Sequence, residues 1–279
     1  MSLSYARDDW YAVAMVEQLA EGRVLRSKLL GQEIGVSGSA TEPMVRASGA
    51  LRPAELRYDH VWTTLSDAPR PLFEIAEAAE DDRTFVPCGP VTVRCSPLRA
   101  VENFLDIAHF PFVHTGILGE EPHTEVRPYK VEIRDEIDEV WATEIGFHQP
   151  QAAKSATTAI ETQYQYRVPA PTTAVLYKTC PPKPDAWDVI AIFVQPETEE
   201  RCIVWPWMAL YDDVTAYAEL VQFQQEIFLQ DRSILENQKP TLLPLDPRME
   251  IPTRCDLTSV VYRRWLKRKG ATYGAMTKT

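Results

Sequence analysis

The chain is predicted to be α+β: a curved antiparallel sheet with helices against one face, preceded by a small β unit. Three observations predict this. Residues 129–210 hold six runs rich in β-branched and aromatic residues, separated by proline and acidic turns. A long segment, about Thr215 to Asn237, repeats apolar residues at helical spacing and is stopped by Pro240. A strand at Val91–Cys95 turns at Pro97 into a helix carrying Asn103, Asp106, His109 and His114.

From the N-terminus, Trp10–Ala14, Val24–Gly31 and Tyr58–Leu65 read as short β runs around a Gly/Ser/Pro-rich patch, Gly35 to Pro53. Ala68-Pro-Arg-Pro71 reads as a linker, which divides the chain into a β unit at 1–68 and a main domain at 69–279. So few residues cannot bury a strong core alone, so the first unit is expected to pack on the second. The meander follows as Tyr129–Ile137, Glu139–Phe147, Thr158–Val168, Thr173–Thr179, Trp187–Gln195 and Cys202–Leu210, and Asp256–Leu266 reads as a last helix.

Composition excludes several classes. At 45% apolar and 25% charged, the 279 residues are those of an ordinary soluble globular protein. A net charge of −11 argues against nucleic acid as a partner. Arg7, Asp8 and Asp9 occupy the place where a signal peptide needs its apolar run, and no apolar stretch is long enough to span a bilayer. Five cysteines without a C-x-x-C suit a reducing cytoplasm, which is the expected location. The basic run Arg263–Lys269 reads as a solvated helix end, with an acidic partner as the alternative.

The chemistry concentrates in Asn103-x-x-Asp106-x-x-His109-x4-His114, which holds two of the chain's five histidines. Asn103, Asp106 and His109 fall at i, i+3, i+6, on one slowly drifting helical stripe. His114 would lie roughly 140° from His109 on an unbroken helix, and Pro111 between them is a cause for a bend. Two neutral imidazoles and one carboxylate form the facial set that binds non-haem Fe(II). Asp231 can supply the carboxylate, because it falls within the apolar stripe Leu220, Phe223, Ile227, Phe228, Ile234, Leu235, where an unpaired aspartate is rarely tolerated. Gln238 is a second polar intruder there. Zinc in a hydrolase is the competing metal, but H-E-x-x-H is absent. His148, at the end of a predicted strand, is a weaker pocket candidate. A pocket between sheet and long helix could draw on Phe147, Tyr164, Tyr166, Trp187, Trp205, Trp207 or Phe223.

At these residues the chain resembles the catalytic subunits of Rieske non-haem iron oxygenases, nearest the branch that removes O- or N-methyl groups from aromatic acids and heterocycles. Asn103–His114 is similar to the family's iron motif, and Gln230–Gln238 to its carboxylate-donor helix; Val194-Gln-Pro196, Tyr262–Leu266 and Trp10–Ala14 echo further patches. The resemblance implies a helix-grip (START-like) catalytic domain, Fe(II) held by His109, His114 and Asp231, and oxidative demethylation. It implies that Asp106 bridges His109 to an incoming electron carrier and that Asn103 completes the polar network. One departure stands out. The family's C-x-H and C-x-x-H cluster ligands are missing, since no cysteine precedes Cys88. Residues 1–68 thus resemble a truncated Rieske unit without its [2Fe–2S] cluster. That points to the oxygenases of methylxanthine (N7) demethylation, whose Rieske centre sits on an NAD(P)H-dependent reductase partner. The implied substrates are O2 and a heteroaromatic, and the implied assembly keeps a trimeric core. The alternatives are a methoxybenzoate O-demethylase and a non-catalytic subunit.

Overall fold

The computed structural model describes residues 2–154, 156, 158–246 and 248–277. The N-terminal part runs α1 (Ser2–Arg7), β1 (Tyr11–Met15), β2 (Leu25–Leu29), β3 (Gln32–Gly38), β4 (Pro43–Ala47), β5 (Ala50–Arg52), β6 (Ala54–Arg57) and β7 (His60–Thr63). β8 (Thr84–Pro87), β9 (Val91–Val93), α2 (Pro97–Leu105) and α3 (Phe110–Val113) lead into β10 (Lys130–Arg134), β11 (Glu139–Gln149), β12 (Ile160–Ala170), β13 (Thr173–Thr179), β14 (Trp187–Thr198) and β15 (Arg201–Leu210). α4 (Tyr217–Leu235), β16 (Leu243–Pro244), α5 (Leu257–Lys269) and β17 (Ala275–Met276) complete the chain.

The main sheet is a true meander, ordered β10-β11-β12-β13-β14-β15-β8 with β9 also on β15, and all its pairs are antiparallel. The α+β prediction holds. Its two faces are both covered. One face packs on α2, α4 and α5 through Val101, Leu105, Phe228 and Trp265. On the other, Trp10 and Trp62 of the N-terminal part interlock with Phe193 and Trp207. Backbone bonds from Leu30 and Gly31 to the Pro196 and Glu197 carbonyls (2.8 Å each) seal this contact.

One expectation differs from the structure here. The Gly35–Pro53 patch is not loop: β2-β3-β4-β5 form a sheet, with Gly38 (φ 99°) and Gly49 (φ 83°) at its turns. Positive φ at those turns is what glycine permits without strain. The basic run ends α5 with Arg264, Lys267 and Arg268 exposed, as expected, and several of its members are paired. Arg263 pairs with Glu102 (2.5 Å) and Glu250 (2.5 Å), and Arg268 with Asp135 and Asp138 (2.7 Å each). Glu250 also pairs with the fully buried Arg99 (2.5 Å), so this cluster ties α5 to α2. Gly270, in the left-handed region at φ 69°, caps α5.

His60 lies wholly buried between Phe193 and Trp205, its Nδ1 2.5 Å from the Tyr58 carbonyl. Burial pushes its pKa down to about 4. The unfolded chain therefore takes up a proton near pH 6.5 that the folded chain refuses until about pH 4, so stability is full above 6.5 and lost as pH falls through that window. The loss reaches roughly 3 kcal/mol at 1.36 kcal/mol per unit. His60→Gln keeps a donor for Tyr58 without the titration. Its urea midpoint is expected to drop less than the parent's between pH 7 and pH 4.5; equal drops would remove His60 as the cause.

A candidate metal centre

The helix carrying the motif ends sooner than its spacing predicts. Ser96 caps the N-terminus of α2 by accepting the Leu98 N–H (3.1 Å), and Pro97 occupies the first turn. The helix stops at Leu105. Asp106 then turns extended (ψ 126°), and its Oδ1 accepts the Ala108 N–H at 2.8 Å. Pro111 starts the short α3 rather than bending a longer helix, with His109 and His114 at the two ends of that turn. Asp106 and His109 therefore sit outside a helix. The change of direction brings both imidazoles to one point.

Gly119 is what lets the following loop cross this turn. A Cβ there would lie 2.7 Å from the Pro111 nitrogen and 3.0 Å from Phe147 Cε1. The contact leaves room only for hydrogen.

The third group arrives on α4. Leu220, Gln224, Ile227, Phe228, Asp231 and Leu235 form its buried face. Ile234, expected on that face, is exposed, and Gln238 is only half-buried beyond the helix end. Asp231 Oδ1 lies 3.3 Å from His109 Nε2 and 3.1 Å from His114 Nε2, while the two Nε2 atoms are 3.1 Å apart. One ligand atom from each of the three residues falls within 4.8 Å of the others.

Each imidazole is aimed by its other nitrogen. His109 Nδ1 lies 3.0 Å from Asp106 Oδ2, and His114 Nδ1 lies 2.7 Å from Gln230 Oε1. With Nδ1–H donating to these oxygens, both Nε2 lone pairs face the common point. Lone pairs so close repel unless a proton or a cation lies between them. Asp231 Oδ1, though near both rings, is buried without a hydrogen bond of acceptable geometry. Burial pushes the Asp231 carboxyl up, but the two imidazoles outweigh it and hold it down at about 2. Burial likewise pushes His109 down, but Asp106 and Asp231 outweigh it and raise it to about 9. Such a donor set fits a small divalent cation.

His109 stands between two cavities. The inner one is lined by His109, His114 and Asp231, by sheet residues Tyr164 and Tyr166, and by Phe223 of α4. The outer one is lined by Asp106, Glu102, Gln238, Glu250 and Arg263. Asn103 borders both, and its carboxamide makes no hydrogen bond among the described residues. Of the aromatic residues expected in the pocket, Tyr164, Tyr166 and Phe223 line it. Trp205 and Trp207 belong to the opposite face of the sheet.

His148 does not face the inner cavity. Along β11, Val140 and Ala142 point inward, the ladder slips between Ala142 and Ile145, and Glu144 adopts φ 61°. This bulge inverts the alternation, so Ile145, Phe147 and Gln149 are the buried residues that follow. His148 instead stacks on His123 at 4.2 Å, and Gln149 takes the place in the cavity wall. Gln149, Gln230, Lys178 and Asp188 were not singled out from the sequence. Gln230 had one available signal, its place immediately before Asp231.

Comparison with known proteins bears on this arrangement. Residues 93–272 match the family model described as the vanillate O-demethylase oxygenase C-terminal domain. The chain is 44% identical over 275 residues to the "Probable methylxanthine N7-demethylase NdmC" of Pseudomonas sp. (strain TJI-51), covering 97% of each chain. Among solved structures it is similar to NdmA of Pseudomonas putida CBB5 with caffeine, at TM-score 0.78 and 17% identity over 95% of this chain and 91% of that one. Dicamba monooxygenase bound to dicamba follows at TM-score 0.76 and 16% identity, over 95% and 97% of the two chains.

Proposed function

The chain belongs to the vanillate O-demethylase branch of the Rieske-type non-haem iron oxygenases, and from that premise we propose that it is an oxidative N-demethylase of methylxanthine-like heteroaromatics. The observation that carries the reading is the convergence of His109, His114 and Asp231, with an unbonded carboxylate oxygen, on the wall of a mostly apolar cavity. These three residues would hold Fe(II). When bound, the ion supplies the binding and reductive activation of dioxygen.

The rest of the reading concerns the chain's own groups. Asp106 and Gln230 fix the two imidazoles with Nε2 toward the common point. Phe110, packed edge-on to His109 (5.2 Å), Phe147 (5.7 Å) and Tyr164 (6.2 Å), closes the floor beneath them. A flat ring enters against Tyr166 and Phe223 with its methyl group toward the histidines. One oxygen atom of O2 enters a methyl C–H bond and the other leaves as water, consuming two electrons and two protons. The N–CH2OH product then breaks its C–N bond, giving the N–H heterocycle and formaldehyde. The electrons come from a Rieske-bearing NAD(P)H reductase that docks on the Asp106 side, where Asn103 and Asp106 border the outer cavity. On this reading residues 1–68 are the cluster-less remnant of a Rieske unit, 69–279 are the iron domain, and the assembly keeps a trimeric core. The cysteines are free thiols, which fits the cytoplasm, and among the described residues no helix is long and apolar enough to cross a membrane.

The test is single turnover of anaerobically Fe(II)-loaded protein on 7-methylxanthine, with dithionite and a Rieske-type reductase compared as donors and formaldehyde assayed. Formaldehyde with the reductase supports the reading. Iron-loaded protein that releases none from any methylxanthine or methoxybenzoate assigns the chain to the non-catalytic alternative.

A further inference from the structure

The inner cavity has a polar row that the metal centre does not use. Cross-strand register places Tyr164 of β12 opposite Lys178 of β13, and Lys178 opposite Asp188 of β14. The three side chains lie side by side on one face of the sheet, with neighbouring Cβ atoms about 5 Å apart. All three are more than nine-tenths buried and all three line the cavity. The next row, Leu176–Ile190–Met208, is apolar and lines it too.

These groups are conspicuously underused. The Tyr164 hydroxyl is buried with no hydrogen-bond partner among the described residues. Lys178, which has three donors, makes one hydrogen bond among the described residues, to the Ala152 carbonyl. Asp188 Oδ1 accepts the Tyr211 N–H at 3.1 Å, and the lysine and aspartate do not close on each other as an ion pair. An unpaired buried polar group costs about 1–3 kcal/mol, so the orphan Tyr164 hydroxyl, beside the spare donors of Lys178 and the second oxygen of Asp188, points to a ligand that completes the row.

We propose that Tyr164, Lys178 and Asp188 form the specificity row for the oxo-substituted edge of the ring, with Tyr164 and Lys178 donating to ring carbonyl oxygens and Asp188 accepting a ring N–H. Two donors followed by an acceptor complement a ring edge that carries two carbonyl oxygens and an N–H. The row couples one basic group to one acidic group, so it does not suit a carboxylate ligand, which Asp188 would repel. Burial pushes Lys178 down from its ordinary value, which weakens its hold on an anion. The inference rests on the demethylase reading for the identity of the ring, but not for its own test.

The test is equilibrium binding to Fe(II)-loaded, oxygen-free protein without reductant, so that nothing turns over. The probes are 7-methylxanthine, 7-methylpurine (the same ring without carbonyls) and 3-methoxybenzoate. Wild type is expected to prefer 7-methylxanthine to 7-methylpurine by about tenfold or more. Tyr164→Phe removes an unbonded hydroxyl and Lys178→Met conserves volume, so both variants should fold. Each is expected to weaken 7-methylxanthine about tenfold and to leave 7-methylpurine unchanged. Unchanged discrimination in both variants overturns the inference, as does a wild type that prefers 3-methoxybenzoate or binds no oxo-heterocycle. Formaldehyde release with unchanged discrimination leaves the demethylase reading standing without the row. Row-dependent binding without formaldehyde leaves the row standing without that reading.

Discussion

Asp231→Ala, purified without oxygen and supplied with Fe(II), is expected to fall from about one iron per chain to almost none and to lose turnover at least ~1000-fold. The magnitude follows from the site's composition. Two imidazoles remain after the change, and a facial set with one member removed loses both the charge and the third contact that hold a hard divalent ion. Alanine favours a helix, and the side chain leaves a face already lined by Ile227, Phe228 and Leu235, so α4 should persist. Far-UV circular dichroism checks that it does. The informative comparison is with Gln230→Ala, which removes the acceptor from His114 Nδ1 but leaves every ligand atom. That variant is expected to weaken iron roughly 10–100-fold rather than abolish it. If Asp231→Ala keeps stoichiometric iron while Gln230→Ala loses it, the carboxylate does not belong to the metal set.

The candidate site was legible in sequence because its members break local rules. An aspartate among isoleucine and phenylalanine on α4, and paired histidines in an apolar segment, each violate burial preferences unless something joins them. What was not legible is how the backbone delivers them. The i, i+3, i+6 spacing of Asn103, Asp106 and His109 suits a continuous helix equally well, and only the proline two residues after His109 marked a new helix start. The bulge in β11 had no marker: Glu144 takes a positive φ that sequence assigns to glycine, and one slipped residue moved His148 out of the cavity and Gln149 into it. Rows across the sheet, such as Tyr164–Lys178–Asp188, depend on two registers at once. No single strand's pattern contains them.

Asp106→Asn separates aiming the metal from feeding it. The wild-type carboxylate uses both oxygens, Oδ1 on the Ala108 N–H and Oδ2 beside His109 Nδ1, and its side chain remains 29% exposed toward the outer cavity. It therefore touches a histidine of the candidate metal set from within and solvent from without. Asparagine keeps the size and one carbonyl acceptor, so the turn at Asp106 should survive and iron content should stay near one per chain. Turnover driven by the reductase is expected to fall roughly 10–100-fold. Hydrogen peroxide supplies an oxygen atom and both electrons, so peroxide-driven formaldehyde release needs no electron entry through this side. It is expected to stay within a factor of about two of wild type, a change worth well under 1 kcal/mol. Equal losses with both donors would mean that Asp106 acts only by orienting His109. Full activity with the reductase would remove it from the electron path altogether, leaving the outer cavity without a link to the metal centre through this side chain.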